Sequence, residues 1–140
     1  MKILLAVDGS AFTKKMLAYL VTHESMLSPS NSYTLLTVQP QLPARARHVV
    51  GKEAVANYQR EESERVLGPA SQFLLRHGIN AKTVAKVGHA GEAICKVAES
   101  GKYDLLVMGS HGHGLFGNLV MGSVATQVLS HSKVPVLLVR

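Results

Sequence analysis

Short apolar runs alternate with segments of helical spacing along the whole chain, and this alternation limits the possible folds more than any other feature. A continuous apolar run such as residues 3–7 is typical of a strand that is buried on both faces. Between such runs, apolar residues recur at spacings of three and four, as on one face of a helix. Alternating strands and helices predict an α/β fold with a mostly parallel sheet, helices on both faces and right-handed connections.

These patterns place the elements along the chain. Strands are expected at 3–7, 33–38, 81–87, 105–108 and 136–139, and helices after Ser10, at about 52–76, at 91–99 and at 123–131. Residues 39–50 contain Pro40 and Pro43 and are expected to form a long loop. Gly68-Pro69 interrupts the longest helix, so we expect a kink or local break there.

Length and composition are those of one globular domain, expected to span residues 1–140. Hydrophobic residues make up 46% and charged residues 17%, which excludes a disordered chain. No apolar run approaches the roughly 18–20 residues that a bilayer span needs, and the apolar residues before Asp8 are too few for a signal peptide. The single Cys95 has no partner for an internal disulfide. These features predict a cytoplasmic protein without a membrane partner.

The chain is basic, with a formal net charge of +6 from 15 Lys and Arg against 9 Asp and Glu. Its charges are scattered, and the nearest approach to a basic cluster is Arg45, Arg47, His48 and Lys52. Aromatic residues make up 5% and Trp is absent, so a platform for stacking nucleic-acid bases is not expected. The basic cluster is interpreted as a solvated loop, with a lid whose arginines reach a bound phosphate as the alternative.

A glycine-rich loop follows the fourth predicted strand and leads into the last predicted helix. It begins with Gly109-Ser-His-Gly112, and nine residues later Gly122-Ser123 precedes the helix. Glycine lets backbone N–H groups approach a ligand, and a helix N-terminus adds unpaired donors and partial positive charge, which suits nucleotide phosphates. On the glycines alone, an ordinary turn with an N-cap remains the stronger interpretation.

The full spacing, Gly-x2-Gly-x9-Gly-Ser with Ser-His inside the first interval, resembles the nucleotide signature of the universal stress protein family. The resemblance covers the whole chain. Residues 1–10 look like the family's first strand and its aspartate, 35–38 like its second strand, 87–94 like its third strand entering a helix, and 132–140 like its final strand. It implies a doubly wound, Rossmann-like, five-stranded parallel sheet of order 3-2-1-4-5. In that order Asp8 and Gly109 meet at the switch point between strands 1 and 4.

The resemblance also implies a binding site for ATP and Mg²⁺ and a regulatory or protective role in the stress response. It carries adenine and ribose contacts onto Ala6, Val7, Asp8, Val38, Met108 and Gly109, and phosphate contacts onto Gly112, Gly122, Ser123 and Val124. His111 matches the family pattern and is expected beside the phosphates or in positioning the backbone. No residue is a clear base for activating water, so hydrolysis is expected to be slow or absent.

Other functions remain open at this point. An ATP-cleaving enzyme of the adenine-nucleotide α-hydrolase group would show a Ser-Gly-Gly-rich loop after strand 1, for which Asp8-Gly-Ser10 is too short. A dimeric interaction module with an empty pocket is opposed only by the intact loop glycines. A metal at His111 and His113 is disfavoured because no third ligand is evident nearby.

The last predicted strand suggests how the protein assembles. It lies at the sheet edge in the implied order, and its sequence, Val136-Leu-Leu-Val139, is apolar at every position. An apolar edge presents unpaired backbone groups to another chain, so we expect a homodimer that pairs this strand with its two-fold copy. The family resemblance implies the same contact.

Overall fold

The computed structural model describes residues 1–23, 25, 28, 30–112 and 121–140. In these residues the order of elements is β1 (Lys2–Ala6), α1 (Ala11–Thr22), β2 (Ser32–Gln39), α2 (Ala44–Val50), α3 (Lys52–Arg76), β3 (Lys82–Val87), α4 (Ala90–Ser100), β4 (Leu105–Gly109), α5 (Ser123–His131) and β5 (Val136–Val139). The five strands form one sheet of order β3-β2-β1-β4-β5, and every neighbouring pair is parallel. The predicted doubly wound fold and its strand order are therefore confirmed.

The core has two halves, one on each face of the sheet. Because side chains alternate along a strand, Ile3 and Leu5 of β1 face the half that α1 and α3 cover. Leu4 and Ala6 face the other half, which α4 and α5 cover. β1 is buried on both faces, as its continuous apolar sequence predicts. No helix in the described ranges is long and apolar enough to cross a bilayer.

Residues 39–50 are not simply a loop, because Ala44–Val50 form the helix α2. Pro43 caps its start, and Gly51, with a φ of +83°, separates it from α3. α2 buries none of its residues, and Val49 is 80% exposed. A helix without a buried face has no apolar spacing, so the pattern that marks the other helices is missing from this part of the sequence.

Of the kink or local break expected at Gly68-Pro69, the local break does not occur, since α3 runs without interruption from Lys52 to Arg76. Leu67 and Ala70, on either side of the Gly-Pro pair, are buried, and so is Leu74 one turn later. Their packing against the sheet keeps the helix continuous through the proline, because tertiary burial outweighs intrinsic helix propensity.

Candidate functional site

A cleft with a volume of about 250 Å³ lies at the carboxyl ends of the two central strands. Ala6 at the end of β1 is the register partner of Met108 near the end of β4. β1 continues toward the β2 side of the sheet, and β4 toward the β5 side. The cleft thus lies at the topological switch point, where ligands bind in open α/β sheets. A cavity for one water needs only about 10–15 Å³, so this space is not a packing defect.

All of the residues that the sequence singled out for the site line this cleft. They are Ala6, Val7, Asp8, Val38, Met108, Gly109, His111, Gly112, Gly122, Ser123 and Val124. They come from the ends of β1, β2 and β4, from the start of the glycine-rich loop and from the first turn of α5. His113, Gly114 and Gly117 of the same loop lie outside the described residues.

Sequence reasoning missed five lining residues, namely Thr13, Leu36, Ala90, Ile94 and Ala125. Four of them are apolar, and nothing in their local sequence separates a cleft wall from an ordinary core position. Thr13 is the exception, because Ser10-x-x-Thr13 at a helix start is the spacing of a local cap. The Thr13 N–H donates to Ser10 Oγ at 3.4 Å, which caps α1.

The carboxylate of Asp8 is oriented by the start of α1. Its Oδ1 accepts hydrogen bonds from the Ser10 N–H and from Thr13 Oγ1, each at 2.9 Å. The same threonine oxygen accepts the Asp8 N–H at 3.0 Å. A negative side chain is favoured beside a helix N-terminus, so this arrangement holds one carboxylate oxygen and fixes the direction of the other.

The glycines of the loop are required by close approach within the protein itself. A Cβ on Gly109 would lie 2.8 Å from the Cβ of Phe12 and 3.2 Å from its backbone, and a Cβ on Gly112 would collide with Asp8 Oδ2. A Cβ on Gly122 would lie 3.1 Å from the Cα of His111. The Gly122 N–H donates to the Ser110 carbonyl at 2.8 Å, which brings the two ends of the loop together.

His111 is held on two sides at the mouth of the loop. Its Nδ1 lies 2.8 Å from the hydroxyl of Ser110, which is itself only 3% exposed. Its ring centroid lies 4.7 Å from that of Phe12. The imidazole therefore has a defined position in the cleft and is half-buried.

One end of the cleft is polar because α5 begins there. Gly122 caps this helix with extended backbone and without a side-chain hydrogen bond. The next three residues, Ser123 to Ala125, line the cleft. N–H groups in the first turn of a helix have no acceptor within the helix, so this end offers several donors and a partial positive charge.

Another part of the cleft lining is apolar. It is built by Ala6, Leu36, Val38, Ile94 and Met108. A flat apolar ligand group fits such a wall, while an anionic group fits the helix start. Within the described ranges, no group of three or more His, Cys, Asp or Glu could hold a metal ion by itself.

Comparison with known proteins gives the same picture for the whole chain. The sequence model of the Universal stress protein family matches residues 1–140. A universal stress protein of Synechocystis sp. is 34% identical over 139 residues, which is 99% of this chain and 42% of that relative. The chain spans about half or less of the length of the curated relatives that it matches.

Solved structures of the same family share the fold. Protein MJ0577 of Methanocaldococcus jannaschii has a TM-score of 0.83 at 28% identity, covering 99% of this chain and 94% of its own. A family member from Arabidopsis thaliana with AMP bound has a TM-score of 0.72 at 18% identity, covering 99% and 90%. One from Archaeoglobus fulgidus in complex with dAMP has a TM-score of 0.68 at 21% identity, covering 100% and 98%.

Proposed function

This chain belongs to the universal stress protein family, and we propose that it binds ATP together with Mg²⁺ in the cleft between β1 and β4. Its role would be regulatory or protective in the stress response, rather than metabolic. One observation carries the proposal: an apolar wall and a helix N-terminus face the same cleft at the switch point of the sheet. The AMP and dAMP complexes of family members with this fold support an adenine nucleotide.

The two ends of the cleft would take the two ends of the nucleotide. The adenine would lie against Val38, Ile94 and Met108, since ligand pockets are lined mainly by apolar side chains. The phosphates would lie at Gly112 and Gly122 and at the N–H groups that open α5. Ser123 is exposed at the start of this helix and would add a hydroxyl donor.

Mg²⁺ fits the cleft only as the companion of a nucleotide. The ion prefers oxygen ligands, and it commonly binds through one or two carboxylates together with substrate phosphates. Asp8 supplies one carboxylate, and its Oδ1 is already occupied by two hydrogen bonds to α1. Asp8 and the hydroxyl of Ser123 are therefore the groups that would hold the ion beside the phosphates.

We propose that hydrolysis of the bound ATP is slow or absent. A general base must lie within reach of an attacking water, and the candidates are His111 and Asp8, both of which already have defined partners. Steady-state assays test this point. A turnover near the enzyme median of roughly 10 per second that is lost in His111→Ala would contradict it.

We also propose that the protein is a cytoplasmic homodimer. The apolar strand β5 lies at the edge of the sheet, with β4 as its neighbour on one side. Pairing with the β5 of a second copy would satisfy the other side. The cytoplasmic location rests on the sequence features described above, including the single cysteine.

The nucleotide bound to the purified protein is the direct test. Retained ATP, identified by chromatography of a denatured extract, supports the proposal. Retained AMP would favour the ATP-cleaving alternative, and a protein that neither retains nor binds nucleotide would favour an interaction module.

A matched pair of variants tests the position of the site by calorimetry. Ala90 begins α4 and lines the cleft, whereas Ala11 begins α1 and is exposed away from it. Ala90→Leu fills the cleft and should weaken ATP binding by about tenfold or more, which is roughly 1.4 kcal/mol. Ala11→Leu is the control and should leave affinity unchanged. Equal affinity in both variants would contradict binding in this cleft.

A further inference from the structure

The cleft proposed for the phosphates carries almost no positive side-chain charge. Among its described lining residues none is Lys or Arg, and the ionisable side chains are those of Asp8 and His111. Residues 113–120 lie outside the described residues, and their sequence contains His113 but no Lys or Arg. The net charge of +6 therefore lies elsewhere on the molecule. A phosphate tail in this cleft would meet backbone donors, the start of α5 and an imidazole.

The imidazole of His111 is built into the cleft. Ser110 holds its Nδ1 at 2.8 Å, and the Phe12 ring lies against it at 4.7 Å. Phe12 is itself packed tightly, as shown by the 2.8 Å that would separate its Cβ from a Cβ on Gly109. A charge carried by His111 would therefore act at a fixed position instead of being averaged over many rotamers.

We infer that the protonation of His111 sets the affinity of the cleft for phosphorylated nucleotides, an inference that rests on the proposed function. Histidine is the side chain whose charge changes between pH 5 and 8. The imidazolium attracts phosphate and the neutral ring does not, so binding tightens as the pH falls. By linkage, the phosphorylated ligand in turn favours proton uptake by the protein.

Other charged groups near His111 bear on this effect. Asp8 lines the same cleft from the end of β1, where it is one of the groups that would hold Mg²⁺ beside the phosphates. Lys15 lies near Phe12, the ring that packs against the imidazole, with its Nζ 4.9 Å from the centre of the Phe12 ring. Both groups are present in the wild type and in His111→Gln, so a difference in affinity between these two proteins reports on the imidazole.

Calorimetry of adenosine, AMP and ATP at pH 5.5, 7.0 and 8.5 tests the inference in the wild type and in His111→Gln. Because the phosphates also take up protons at low pH, the readout is the ratio of wild-type to variant affinity for the same ligand. For ATP this ratio should be about tenfold at pH 5.5, since a hydrogen bond to a charged group is worth about that much, and close to one at pH 8.5. It should be smaller for AMP and stay at one for adenosine.

Three further variants make the result specific. His48→Gln changes an exposed histidine of α2 and should behave as wild type. His113→Gln should retain most of the pH dependence of ATP binding. If the pH dependence is lost in His113→Gln but kept in His111→Gln, the inference is overturned. Ser110→Ala removes the hydrogen bond that positions the ring and should reduce the ratio at pH 5.5 to about threefold without changing adenosine binding.

The two proposals fail in different ways. If ATP binds but the ratio is the same at pH 5.5 and 8.5, this inference is overturned and the proposed function stands. If the wild type binds no nucleotide at any pH, the proposed function is overturned and this inference falls with it.

Discussion

Gly112 is a residue that the sequence assigns correctly to the cleft, although the full structural reason for a glycine there could not be predicted. The spacing of the glycines predicts a backbone that approaches a ligand. In the structure, Gly112 is also required because a side chain there would collide with the Asp8 carboxylate. Gly122 likewise lies against the backbone of Ser110 and His111. The contact of Gly112 with Asp8 joins residues about 100 positions apart and leaves no local signal, so sequence reasoning found this position and missed its second constraint.

A pair of glycine variants separates close approach from ordinary helix propensity. Gly112→Ala displaces the Asp8 carboxylate that orders the start of α1, so it should destabilise the protein by about 1–2 kcal/mol and weaken ATP binding about tenfold. Gly68→Ala meets nothing within 4 Å inside α3 and should stabilise it by about 0.5–1 kcal/mol without affecting binding. Urea unfolding and calorimetry measure both effects, and a Gly112→Ala protein equal to wild type would contradict the packing argument.

The thiol of Cys95 should make stability depend on pH above neutrality. Burial raises the pKa of Cys95, and the negative charge of Glu99 adds to the rise. The folded state therefore keeps this proton to a higher pH than the unfolded chain. Its contribution to stability is fully present below the unfolded pKa, near 8.5, and is lost as the pH rises above it. Urea unfolding from pH 7 to 10 should show a steeper loss in the wild type than in Cys95→Ala, and parallel curves would refute the assignment.

At the level of single elements, the helices with a buried face show an apolar spacing in the sequence, whereas the unburied helix α2 does not. α5 and β5 occur at the residues expected, because their apolar positions pack into the core. The sequence does not predict α2, because none of its residues is buried and its apolar residues therefore show no helical spacing. The break expected at Pro69 is absent because the residues around it anchor α3 to the sheet. Local rules fail here where tertiary packing decides the outcome.

Continuity of α3 through Pro69 has a measurable consequence. Proline lacks the N–H that would donate to the carbonyl of Arg65 one turn earlier, and its ring crowds that carbonyl. Because Pro69 is exposed, Pro69→Ala should restore the hydrogen bond and stabilise the protein by about 1–2 kcal/mol. Gln72→Ala, at an exposed position of the same helix, is the control and should stay within about 0.5 kcal/mol of wild type. Destabilisation by Pro69→Ala would mean that the ring itself contributes packing.

At the level of the whole molecule, the two edges of the sheet differ in chemistry. β5 is apolar at every position, whereas β3 carries the exposed Lys82 and Lys86. Charged edge strands resist pairing with other chains, and apolar ones favour it. A charge on Val139 would be a poor test of pairing through β5, because this residue is 8% exposed and belongs to the core of the single chain.

Proline substitutions at the two edges test the homodimer more cleanly. The carbonyl of Pro135 accepts a hydrogen bond from the N–H of Leu106 in β4, and that of Val139 accepts one from Ser110, directly after β4. By alternation, the N–H of Leu138 points to the free edge. Leu138→Pro should therefore block strand pairing between copies while keeping the contact with β4.

The matched control lies at the other edge. The Gly88 N–H donates to Gln39 of β2, so the N–H of Ala85 points to the free side of β3. Sedimentation at micromolar concentration should show a monomer for Leu138→Pro and a dimer for both Ala85→Pro and the wild type. A wild type that sediments as a monomer, or a dimer lost only in Ala85→Pro, would refute pairing through β5.

The unequal edges would also determine how far the proposed assembly can proceed. A sheet in which both edge strands can pair with another copy has two pairing sites per molecule. Copies of such a sheet add to one another without limit, as in a fibre. Here the lysines of β3 disfavour pairing at that edge, which leaves β5 as the edge suited to pairing and gives each copy one pairing site. In the proposed homodimer, pairing about a two-fold axis would use that edge completely and end growth at two copies. The strand proposed to pair the two copies would therefore also limit the assembly to two.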